Sequence, residues 1–95
     1  LHPDERLLHQ TARDPIRDLS KRWAAKEAFA KALGTGVRGF NMHDIALLRG
    51  DLGRPLLRLS ERVQEICADL GAGEMHVSIS DEGLMIAAFV VIERR

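Results

Sequence analysis

The residues best suited to do chemistry together lie between Ser20 and Gly36, in SKRWAAKEAFAKALGTG. Glu27 is a carboxylate able to hold a divalent cation, while Arg22 and Lys31 are cations able to hold phosphate. On a helical projection Lys31 stands one turn after Glu27, and Glu27 falls within about 40° of Trp23. Ile16, Trp23 and Ala30 also fall within about 40° of one another, which predicts an inward stripe with Glu27 at its edge. A carboxylate beside a buried tryptophan is costly without positive charge, from Lys31 or from a bound cation. The same Glu-to-Lys spacing equally describes an exposed helix pair contributing about 0.2–0.5 kcal/mol. Lys26 projects well away from Glu27 and ranks below Lys31.

Other candidates lie outside this stretch. Gly34, Thr35 and Gly36 are a helix stop followed by a loop that backbone or ligand could approach closely. Gly53, Arg54 and Pro55 have turn chemistry with a cation at the tip. His76 and Ser78 fall on the polar side of an alternating strand, where a lone histidine is equally an ordinary structural residue. The single cysteine, Cys67, excludes an intrachain disulfide and reads as a small core residue. Fourteen Lys and Arg balance fourteen Asp and Glu, so bulk charge gives no reason to expect nucleic acid. Even so, Arg17, Lys21, Arg22, Lys26 and Lys31 crowd one region and permit a local anion site. No apolar run reaches membrane-spanning length, and a soluble cytoplasmic protein is expected.

The elements that must position these residues are legible from their ends. Pro3 to His9 reads as a short helix with Asp4 and Glu5 in its first turn. Asp14 as N-cap and Pro15 at the first helical position open a long helix that runs to Leu33, where Gly34 stops it. Asp44–Arg49 and Leu56–Leu59 read as a hairpin about the turn Asp51–Arg54. Ser60 caps a shorter helix whose Val63, Ile66, Cys67 and Leu70 repeat at helical spacing. Met75 to Ser80 alternates, with Met75, Val77 and Ile79 on one side, and Asp81-Glu82-Gly83 turns the chain. Leu84 to Ile92 is apolar throughout and predicts a central strand covered on both faces. The expectation is a single α+β domain over residues 1–95, with antiparallel strands packed on a long central helix and a shorter one.

Three blocks carry a resemblance: WAAKEAFAKALGTG, then Leu52-Gly53-Arg54-Pro55, then HVSISDE with AAFVVIE. In this order they resemble the 4′-phosphopantetheinyl transferases of the small bacterial holo-acyl-carrier-protein synthase type. The resemblance implies transfer of the phosphopantetheine arm of coenzyme A to a serine of apo acyl carrier protein, releasing 3′,5′-ADP, in support of fatty acid biosynthesis. It further implies Glu27 as a Mg²⁺ ligand and Lys31 on the diphosphate. Arg22 and His76 are implied near the 3′-phosphate, Ser78 among the coenzyme contacts, and Gly34-Thr35-Gly36 along the pantetheine. Gly53, Arg54 and Pro55 are implied to wrap the adenosine from a neighbouring subunit of a homotrimer. Many family members carry histidine where Asp81 stands, so no general base is assigned. The family's second metal carboxylate, on an N-terminal strand of the form G-x-D, has no counterpart here, nor does the basic helix that meets the carrier protein. Two expectations follow: a transferase shortened at its front, or a non-catalytic remnant that binds coenzyme A or carrier protein.

Overall fold

The computed structural model describes residues 2–34, 41–83 and 85–94. Helix α1 spans Pro3–Gln10 and helix α2 Pro15–Leu33. Strands β1 (Ile45–Arg49) and β2 (Pro55–Leu59) form one antiparallel hairpin, in register from Ile45 opposite Leu59 to Arg49 opposite Pro55. Helix α3 (Glu61–Asp69) leads to a second antiparallel hairpin, β3 (Ala72–Glu82) with β4 (Met85–Arg94). This is the expected α+β architecture, the described strands arranged as two separate two-stranded sheets.

The ends of the elements follow their local chemistry. The Asp14 carboxylate accepts from the Arg17 amide at 3.1 Å, and Pro15 follows it in the first turn of α2. Gly34 ends α2 with φ +85°, the left-handed conformation that costs glycine little. Ser60 caps α3 through the Val63 amide. In the β1–β2 turn Leu52 takes φ 60° and Gly53 φ 74°, and the Leu52 side chain is 92% exposed. A leucine in that conformation is strained, and no core contact repays it.

The core is Phe29, Ala30, Ile45, Val63 and Cys67, with Leu57, Leu59, Met75, Val90 and Ile92 packed around it. Phe29, Ile45 and Val63 are completely covered, each burial contributing about 2–3 kcal/mol. Of the inward stripe expected on α2, Ala30 is covered but Ile16 and Trp23 are not. Arg22, Ala25, Lys26, Phe29 and Ala30 face inward, while Ile16 is 79% and Trp23 55% exposed. The helix is rotated because Arg22 and Lys26 have a buried carboxylate to meet, and that partner lies in α1. The central-strand expectation for 84–92 is also corrected. Among the described residues β4 pairs only with β3, and Met85, Phe89 and Val91 point outward. Leu70, expected on the inward stripe of α3, is half exposed.

Candidate functional site

The rotation of α2 puts its chemistry outside. Glu27 and Lys31 are both exposed, and no ion pair joins them among the described residues. Trp23 does neighbour Glu27 on the projection, but both lie on the open side of the helix. Glu27 is therefore neither a buried acid nor the partner of Lys31. Its carboxylate remains open to an external cation, and an uncompensated carboxylate is the donor Mg²⁺ takes alongside water and phosphate oxygens. One carboxylate with waters and phosphate oxygens is within the coordination Mg²⁺ accepts. Gly34 closes the same helix; Thr35 and Gly36 lie outside the described residues.

Behind this face is a group of buried charges that reading the sequence did not bring together. Glu5 is 0% exposed. Lys26 Nζ donates to it at 2.6 Å, Arg22 at 3.1 Å, and the amides of Leu47 and His2 at 3.0 Å each. Lys26 also donates to the Met42 carbonyl at 3.0 Å, and Arg22 to that of Leu47. Asp18 accepts from Arg22 Nε at 2.9 Å and lies 2.7 Å from His9 Nδ1. Two carboxylates thus meet two cations, and no buried side-chain nitrogen or oxygen among the described residues lacks a partner. Burial pushes the Glu5 carboxyl up. The Lys26 hydrogen bond, the Leu47 and His2 amides and the Lys26 charge outweigh it and hold Glu5 below its ordinary range. Asp18 is likewise held low: burial raises it, and Arg22 and His9 overcome the rise. The available signal was the projection of Arg22 and Lys26 onto the arc of Ala25, Phe29 and Ala30, a cationic edge on an apolar face.

A groove runs along the other flank of α2. It comprises two adjoining cavities of about 480 and about 300 Å³ that share Leu8, Asp18, Lys21, Arg22 and Arg49. Arg13 and Arg17 line one part, and Gly53, Pro55, Ile79 and Asp81 the other. Arg17 and Lys21 reach across to Asp81, with Lys21 Nζ at 2.9 Å. The hydrogen bonds from Arg17 and then Lys21 hold the Asp81 carboxyl below its ordinary range. Of the expected coenzyme contacts, Arg22, Gly53 and Pro55 meet here, and the Arg22 guanidinium is already engaged by Glu5 and Asp18. Arg54 is exposed at the hairpin and is not part of the lining.

His76 and Ser78 are on the outer side of β3, and neither lines the groove. His76 Nε2 lies 2.9 Å from Glu93, and Glu74, His76 and Glu93 bring ligand atoms within 4.8 Å of one another. Within one chain the described candidates thus lie on the outer face of α2, in the groove with Arg54 at the hairpin beside it, and on the outer face of the β3–β4 sheet. No helix of the described residues is long and apolar enough to cross a membrane.

The family model described as "ACPS: 4′-phosphopantetheinyl transferase superfamily" matches residues 1–87. A holo-[acyl-carrier-protein] synthase of Yersinia enterocolitica is 44% identical over 94 residues, covering 98% of this chain and 75% of its own length. The crystal structure of the Neisseria meningitidis holo-[acyl-carrier-protein] synthase superposes with a TM-score of 0.93 at 39% identity, over 99% of this chain and 76% of that one. The Helicobacter pylori enzyme, crystallised in complex with coenzyme A, superposes with a TM-score of 0.80 at 28% identity, over 98% and 76%. This chain spans about three quarters of the length of the relatives it matches. With matched sequence, fold and signature helix, the chain belongs to the 4′-phosphopantetheinyl transferase superfamily, in its holo-[acyl-carrier-protein] synthase branch.

Proposed function

We infer that the protein is a holo-[acyl-carrier-protein] synthase, a transferase that moves 4′-phosphopantetheine from coenzyme A to a serine of apo acyl carrier protein. The serine oxygen bonds to the phosphorus nearer the pantetheine, the bond to the bridging oxygen breaks, 3′,5′-ADP leaves, and the serine proton is released to solvent. The observation that carries the site is the outward Glu27, open to a cation on a helix pinned from behind by the Glu5–Arg22–Lys26 group. Glu27 would hold Mg²⁺, which when bound neutralises charge on the diphosphate. Lys31, one turn on and free of Glu27, would hold a diphosphate oxygen as charge develops on the leaving side. The groove with Arg17, Lys21, Arg22 and Arg49 would seat the phosphates of the nucleotide end, with Gly53 and Pro55 at its rim. His76, Ser78, Arg54 and the Gly34-Thr35-Gly36 segment complete the proposed coenzyme contacts.

Three places on one chain become one site if copies adjoin. The outward Met85, Phe89 and Val91 support a homotrimer with sites between subunits. We place the enzyme in the cytoplasm, serving fatty acid biosynthesis. The test is 3′,5′-ADP release from coenzyme A and apo carrier protein, with Mg²⁺ titrated. Glu27→Ala is expected to lower kcat at least 100-fold, on the scale of losing a key electrostatic group. Coenzyme A binding without turnover in the unsubstituted protein would instead establish the non-catalytic remnant.

A further inference from the structure

Asp81 stands near the end of β3, against two cations of α2. Arg17 donates to it through Nε and continues to the Gly83 carbonyl, and Lys21 Nζ completes the contact at 2.9 Å. All three side chains line the groove, and each is partly open to water. The lining holds five cations, Arg13, Arg17, Lys21, Arg22 and Arg49, against three carboxylates, Asp14, Asp18 and Asp81. Asp14 is occupied in capping α2 and Asp18 in holding Arg22 and His9. Arg22 is tied to Glu5, whereas Arg13 and Arg49 form no ion pair among the described residues. Arg17 and Lys21 are distinct: they share one counter-charge, Asp81, which reaches them from β3 through a partly exposed contact of modest strength.

We propose that Asp81 is an internal counter-ion that competes with phosphate for Arg17 and Lys21, so that a phosphate-bearing ligand enters the groove by displacing it. A carboxylate and a phosphate offer a guanidinium the same pair of acceptor oxygens. A terminal phosphate brings up to two negative charges against one, so the exchange runs toward the ligand. A singly charged anion gains little by the same exchange. Asp81 thus tunes the groove toward terminal phosphates and against weaker anions. The inference rests on the reading of this groove as the seat of the nucleotide phosphates.

The test is calorimetric titration of the full 95-residue chain with 3′,5′-ADP at low salt. Asp81→Asn is expected to bind roughly three- to five-fold tighter, with the gain shrinking as salt rises. Arg49→Ala is expected to bind more weakly. Should Arg49→Ala weaken binding while Asp81→Asn does not tighten it, Asp81 is no competitor, although the groove remains the seat. Should neither variant alter binding, the groove reading and this inference fall together. A second readout needs no substitution: ligand should speed amide hydrogen exchange at residues 81–83, and unchanged or slower exchange there overturns displacement.

Discussion

Glu5 shows how one residue can decide what its neighbours do. Its carboxylate is the N3 partner of the α1 capping box, the acceptor for two α2 cations and the acceptor for the Leu47 amide. Removing its charge leaves Lys26 buried without a counter-ion and Arg22 with Asp18 alone. Glu5→Gln should therefore cost about 3 kcal/mol of stability in urea denaturation at pH 7. A change under about 1 kcal/mol would show the buried ions to be better hydrated than the structure indicates. The pH dependence follows from the same group. Its folded titration lies below its ordinary value of 4.5, so its stabilisation is fully present above that pH. It is lost as pH falls through the lower folded value, and Asp18 behaves alike from its ordinary 3.8. The acid-side loss of stability should shrink in Glu5→Gln. Nothing local marks Glu5 for this role, since its partners lie 17, 21 and 42 residues onward. An exposed first-turn acid has the same local signature.

At the scale of elements, ends were legible and orientation was not. Asp14-Pro15, Gly34 and Ser60 mark their boundaries through hydrogen bonds made within a few residues, which a linear pattern contains. Which face of α2 turns inward depends on the α1 partner, so Trp23 and Ile16 misled where Gly34 did not. The apolar run of β4 misled for a related reason. It encodes an outward apolar face as readily as a doubly covered strand. Gly34 gives a clean test of the local part. Among the described residues nothing lies within 4 Å of a Cβ built there, so the strain expected in Gly34→Ala is that of the backbone conformation. It should lose about 1 kcal/mol, a fall of about 4–8 °C in melting temperature. Gly34→Asn, which tolerates that conformation better, should lose less.

For the whole molecule the relevant quantity is apolar surface left in water. Met85 and Phe89 are 76% and 62% exposed and lie, with Val91, on one side of β4. A chain of 10.6 kDa buries a limited share of its surface alone, and association is the usual remedy. On the proposed association through this face, Phe89→Asp should lower the sedimentation coefficient and the transferase activity, while leaving far-ultraviolet circular dichroism unchanged. If the sedimentation coefficient does not change, this face is not the contact. The family and reaction were legible because their motif is contiguous. Glu27, the groove and His76 stand apart on one chain, so their proposed union rests on the family resemblance and not on any local pattern.

The division into two hairpins has a consequence for handling the protein. Each described strand hydrogen-bonds on one side only, so each presents a row of unsatisfied amides and carbonyls to any extended peptide that arrives. Concentrated stocks held under mildly denaturing conditions should therefore seed fibrous β-aggregates, beginning from whichever hairpin loosens first.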